Sequence, residues 1–145
     1  MKIVICGSVD ITPKIKEVYD TLTKMGHEVD IPTYSKKIIE GTISLEEYLR
    51  VKQKEGDLKF RQAAEEDLIK KYYRLIKEAD SVLILNVNKN GIENYIGGNS
   101  FLEIGFAHIL GKKIFLFNPV PKMNYRDEIV AMNPFILNGD LSKIK

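Results

Sequence analysis

The chain has 145 residues, the size of one ordinary domain, and its 44% hydrophobic and 29% charged side chains are the balance of a soluble globular protein. Its 22 basic and 20 acidic side chains leave a net charge of only +2, so neither a nucleic-acid-binding nor a membrane-facing surface is expected. The single cysteine, Cys6, excludes an intramolecular disulfide and a cysteine-based zinc site, two histidines give little basis for a metal, and a reducing, cytoplasmic setting is expected.

The first ten residues, MKIVICGSVD, lack the long apolar run and small-residue cleavage site of a signal peptide, and no segment reaches membrane-spanning length. Lys2 to Cys6 reads instead as a buried first strand that ends in a tight turn at Gly7 and Ser8. Thr12 as N-cap and Pro13 at the first helical position open a helix whose apolar face is Ile15, Val18, Tyr19 and Leu22, and Gly26 stops it. His27 to Ile31 then alternates polar and apolar before Pro32, as an edge strand does.

From Thr33 to Ala79 the chain becomes charged and helical. Ser44 and Glu47 form a capping-box pattern ahead of Tyr48, Leu49 and Val51, and a break is expected near Gly56 and Asp57. Beyond it, Leu68, Ile69, Tyr72, Tyr73, Ile76 and Ala79 make the apolar stripe of a crossover helix. Ile43 to Lys54 exceeds what a crossover requires, and we read it as an inserted surface helix rather than a lid or dimer arm over the site.

Ser81 to Val87 is the most strand-like run in the chain and has the continuous apolar character of a central parallel strand. After a loop, Ser100 and Glu103 form a second capping-box pattern, with Leu102, Phe106, Ile109 and Leu110 as the core face of the helix that follows. Gly111 ends that helix, Ile114 to Phe117 is a strand, Tyr125 to Met132 a short helix, and Phe135 to Leu137 the last strand. The alternation predicts an α/β domain: a doubly wound, mostly parallel five-stranded sheet in the flavodoxin-like order 2-1-3-4-5, with an inserted helical segment between strands 2 and 3.

Such sheets bind ligands beyond the carboxyl ends of their strands, where the strand order reverses, here between strands 1 and 3. Gly7 and Ser8 can hold a phosphate or sugar through backbone N–H groups and a hydroxyl, although Cys-Gly-Ser is neither a P-loop nor a dinucleotide fingerprint. Asp10 is either a helix cap or a hydroxyl acceptor, and Asn86 and Asn88 are either ligand contacts or turn formers. Tyr95 is the loop aromatic best placed to stack on a base, and Gly97 and Gly98, with Asn99 and Ser100, let backbone N–H groups approach a ligand at the helix start. Glu103 reads in two ways, as a helix cap or as a nucleophile or base at the crevice. Cys6 reads as a small core residue and His108 as structural.

The chain resembles the nucleoside 2-deoxyribosyltransferase-like superfamily, which includes deoxynucleoside monophosphate N-glycosidases. The resemblance rests on CGS after the first strand, ADSVLILNV at the central strand, and above all GGNSFLEIGFAHILGKKIFLF, where Glu103, Gly105, Ala107, Gly111 and Lys112 match in register. It implies that Glu103 is a nucleophile that attacks the anomeric carbon of a deoxyribosyl group, with the covalent intermediate resolved by water or another base. It also implies that Gly105 allows close packing or ligand approach. The family's acidic partner has no counterpart in a clear register; the loop offers Glu93. Asn118 and Asn124 are possible base or sugar contacts. A small-molecule nucleoside or nucleotide substrate, no cofactor, and a homo-oligomer, specifically a dimer, are the further implications. The competing functions are a nucleotide-binding module without turnover and, more remotely, a flavin or phosphorelay protein of the same topology.

Overall fold

The computed structural model describes residues 1–54 and 58–145, with side chains for 1–52 and 68–145. The break expected at Gly56 and Asp57 lies outside the described residues. Five parallel strands, β1 (Lys2–Cys6), β2 (Glu28–Asp30), β3 (Ser81–Ile84), β4 (Lys113–Leu116) and β5 (Phe135–Ile136), form one sheet in the order β2-β1-β3-β4-β5. This is the predicted order. Strand side chains alternate between faces with period two, so β1, β3 and β4 each supply two cores. Ile3, Ile5, Leu83 and Phe115 point to the face covered by α1 (Thr12–Lys24), which contributes Ile15, Val18 and Leu22. Val4, Cys6, Val82, Ile84, Ile114 and Leu116 point to the opposite face. There they meet Tyr72 and Ile76 of α4 (Leu58–Glu78), Ile104 and Ala107 of α5 (Gly98–Ile109), and Ile129 of α6 (Arg126–Ala131).

The chain between β2 and α4 forms α2 (Thr33–Ile39) and α3 (Leu45–Lys54). Ser44 caps α3 through its hydroxyl, which accepts from the Glu47 N–H at 3.0 Å. Gly26 and Gly111 follow the ends of α1 and α5 with φ of 90° and 68°, the left-handed conformation that terminates a helix.

Several expectations need correction. Thr12 lies inside α1 rather than capping it; a 3-10 turn at Val9–Ile11 precedes it, and its hydroxyl bonds Val9 O and Ser35 Oγ. The central ladder ends at Ile84, three residues before Val87. Beyond it the two flanking strands have run out, and Asn86 takes over the joining of the strand ends. Its Nδ2 donates to the carbonyls of Asn118 and Pro119 at 2.8 and 3.0 Å, its Oδ1 accepts from Asn118 N–H, and Asn118 Nδ2 returns a bond to Asn86 O.

The core face of α5 is also shifted. Leu102 is 44% and Ile109 84% exposed, whereas Ser100, Ile104 and Ala107 are buried. The helix also begins earlier than expected, at Gly98 with Gly97 as N-cap, so Ser100 is already its third residue and cannot cap it. Gly105 faces open space, with nothing within 4 Å of where a Cβ would stand, so close packing does not demand glycine there.

Candidate functional site

The carboxyl ends of β1 and β3 lie side by side, with Cys6 paired to Ile84, and the loops that leave them form a cleft with the start of α5. Two adjoining compartments share Gly7, Val9, Tyr48, Lys52 and Asn99. The first, about 190 Å³, is walled by Tyr34, Tyr48, Tyr72, Leu102 and Phe106, with Glu103 among them. The second, about 260 Å³, is polar and lined by Ser8, Lys89, Tyr95, Gly98, Asn99 and Ser100.

Glu103 is partly exposed as a residue, but its Oε2 is sealed from solvent. Among the described residues, that oxygen is the one buried side-chain nitrogen or oxygen without a hydrogen-bond partner. Because α5 starts at Gly98, Glu103 stands in the second turn, too far along to cap the helix. It lies by Cys6 and Tyr72, whose ionisation its charge disfavours. Burial pushes the Glu103 carboxyl up from 4.5 to about 7, while hydrogen bonding by the Cys6 thiol acts in the opposite direction. Burial likewise raises the Cys6 thiol and the Tyr72 phenol, and Tyr72 donates its hydroxyl proton to Ile5 O at 3.2 Å. Leaving a buried carboxylate oxygen unpaired costs free energy, and structures retain that cost at sites where the group is used.

The polar compartment is organised by Lys89, which leaves the loop after β3. Its ammonium reaches Asp10 Oδ2 at 2.8 Å and Oδ1 at 3.1 Å, and Ser8 Oγ at 2.8 Å; Ser8 also donates to Asp10. Burial of Asp10 works upward on its carboxyl, but hydrogen bonds from Lys89 and Ser8 outweigh it and hold it below the usual range. Lys89 also stands over the Tyr95 ring, 5.8 Å from its centroid. The helix start lines the same compartment and carries no side-chain cap, which leaves the first N–H groups of α5 without a side-chain acceptor. A Cβ at Gly97 would meet the Tyr95 ring at 3.3 Å, which ties that glycine to the loop aromatic.

The predicted residues thus divide. Gly7, Ser8, Tyr95, Gly97, Gly98, Asn99 and Ser100 converge on the polar compartment, and Glu103 on its apolar neighbour. Asp10 stands behind the cavity wall as the partner of Lys89. Asn86 and Asn118 do not line the cleft and spend their amides on each other. Asn88 closes its own loop, its Oδ1 accepting from Asn94 N–H at 2.9 Å. Glu93 and Asn124 are exposed and lie outside both compartments, and His108 is exposed on the outer side of α5.

Sequence reasoning missed Lys89, Tyr34, Tyr48 and Lys52. The last two belong to α3, which was expected as an inserted surface helix rather than a segment over the site and instead lends one face to the cleft wall. Tyr48 packs at a tilt against Tyr34 of α2, with 5.1 Å between ring centroids, and Lys52 lies over the Tyr48 ring. The capping box at Ser44 with aromatic and basic residues four apart was the available signal. Among the described residues, no three His, Cys, Asp or Glu side chains come together as a metal site would require, and no helix is long and apolar enough to cross a membrane.

No family model matches the chain, and no curated protein does. Among solved structures it is similar to that of the Clostridium botulinum CMP N-glycosidase BcmB, at 15% identity and a TM-score of 0.53, over 94% of this chain and 85% of that one. At that identity the likeness is one of fold.

Proposed function

We propose that this protein cleaves the N-glycosidic bond of a (deoxy)nucleoside or nucleotide, with Glu103 as the nucleophile. The observation that carries the reading is the sealed, unpartnered Oε2 of Glu103, a residue that lines an aromatic compartment. Among the described residues no cation pairs with this carboxylate, and the oxocarbenium-like sugar of a glycosidic transition state supplies one. The ionised carboxylate attacks the anomeric carbon as the bond to the base nitrogen breaks. The electron pair of that bond leaves with the base, which takes up a proton. Water, or a second base in a transfer, then opens the glycosyl ester and regenerates Glu103. Tyr34, Tyr48 and Phe106 offer faces on which the base can stack, and the polar compartment offers N–H groups to a sugar or its phosphate. The likeness in fold to a CMP N-glycosidase agrees with a small nucleotide as substrate. A cytoplasmic homo-oligomer stays part of this reading, and sedimentation velocity tests its assembly.

The decisive experiment incubates wild type and Glu103→Ala with a panel of nucleosides and nucleotides, ribo and deoxy, and follows free base by chromatography. Wild type should release or exchange base, and the variant should lose at least about 10³-fold in rate. No release by wild type, or full activity in the variant, defeats the proposal. A second reading, a binding module without turnover, is favoured by one observation: among the described residues lining the Glu103 compartment there is no second carboxylate to protonate the leaving base. Nucleotide binding with no base release would decide for it.

A further inference from the structure

Among the described residues, two charged side chains line the Glu103 compartment: Glu103 itself, from α5, and Lys52, from α3. They do not pair. Glu103 Oε2 has no partner, and Lys52 has neither an ion pair nor a hydrogen bond among the described residues; its ammonium stands over the Tyr48 ring, 6.0 Å from the centroid. Lys52 follows Tyr48 by one helical turn, and both side chains border the compartment, so they share the face of α3 that walls the cleft. Opposite charges in one largely apolar space attract strongly, and they are kept apart where each has a task of its own.

Glycosidic cleavage sets two such tasks. The carboxylate meets the positive charge that grows on the sugar, while the base departs with the electron pair of the C–N bond and leaves poorly until it takes up a proton. Glu103 attacks in its ionised form and has no proton to give. Tyr72 is committed to Ile5 O, and burial raises its phenol, so it keeps its proton. Lys52 carries three N–H donors on a flexible four-carbon stem, which lets the ammonium pass from the Tyr48 ring to the edge of a base lying against that ring.

We propose that Lys52 is the general acid: its ammonium gives a proton to the departing base as the bond to the anomeric carbon breaks, and water returns a proton to the amine that remains. The assignment rests on the glycosidase reading and supplies the proton donor that no second carboxylate provides. Wild type, Lys52→Met and Lys52→Arg are compared on the nucleoside or nucleotide that wild type cleaves fastest. They are compared again on a substrate with the same sugar part and a 4-nitrophenolate leaving group, which departs without a proton. On the natural base, Lys52→Met should lose at least about 10²-fold in kcat with KM within about three-fold of wild type. On the nitrophenyl substrate it should lose less than about three-fold. Lys52→Arg keeps the charge but its guanidinium does not give up a proton, so it should lose at least about ten-fold on the natural base. Lys52 is exposed, so both variants should melt with wild type.

Equal losses on the two leaving groups would overturn the assignment, as would full activity in Lys52→Arg or a loss that appears only when the sugar carries a phosphate. Base release by wild type that Lys52→Met leaves unchanged defeats the assignment alone. No base release by wild type from any substrate defeats the glycosidase reading and the assignment together.

Discussion

Replacing Glu103 by Gln tests whether the carboxyl is buried at a cost, without any assumption about substrate. Folded Glu103 holds its proton up to about 7, against 4.5 for an ordinary glutamate. Between those values the folded protein binds more protons than the unfolded chain, so stability falls as pH rises and levels off above 7. A change of that size is worth at most about 3 kcal/mol. Gln removes the titration but keeps the shape, and whatever its amide costs is the same at every pH. The stability of Glu103→Gln relative to wild type should therefore rise by about 2–3 kcal/mol between pH 4.5 and 8. Urea titrations at a series of pH values measure it directly, and in thermal melts the relative gain should be roughly 5–10 °C for a chain of this size. A difference between variant and wild type that stays flat across that window would refute the claim that the carboxyl is buried at a cost.

The same ionisation sets the activity profile: attack requires the carboxylate, so kcat/KM on any accepted substrate should rise with pH through about 7 and then level, as pH–rate measurements read. Asn86→Ala removes three side-chain hydrogen bonds that join the ends of β3 and β4 and should cost about 2–4 kcal/mol in chemical denaturation, because Asn86 is fully buried and the partly buried backbone groups of Asn118 lose their partner. Gly111→Ala should cost about 1–2 kcal/mol purely through backbone conformation, since φ is 68° and no neighbour lies within 4 Å. Gly98→Ala, in a first helical turn with the same open space, should stay within about 0.5 kcal/mol in the same assay.

Strand and helix periodicities in this chain were legible because they are local. Ile3, Val4, Ile5 and Cys6 form a run that any strand buried on both faces must have, and the alternation of such runs with helical stripes dictates a parallel sheet with crossovers. Gly26 and Gly111 mark helix ends by their own backbone freedom. Helix starts were less secure. Two Ser-x-x-Glu patterns occur, and the one at Ser44 caps its helix whereas the one at Ser100 lies within it, since α5 already begins at Gly98. The difference is decided by where the preceding loop delivers the chain, which no local pattern encodes. Asn86 and Asn118 show the same limit: two asparagines at strand ends look like ligand contacts until the adjacency of β3 and β4 lets each satisfy the other.

The sequence by itself therefore determined the sheet, the crevice at which its order reverses, and the convergence of Gly7, Ser8, Tyr95 and the Gly97–Ser100 turn there, because periodicity and turn chemistry act between near neighbours. Only the tertiary structure decided that Glu103 is a buried carboxyl rather than a cap. It alone brought Lys89 to Ser8 and Asp10, and turned one face of α3 toward the cleft. Burial and ion pairing depend on groups far apart in the chain, and their energies exist only once folding has brought those groups together.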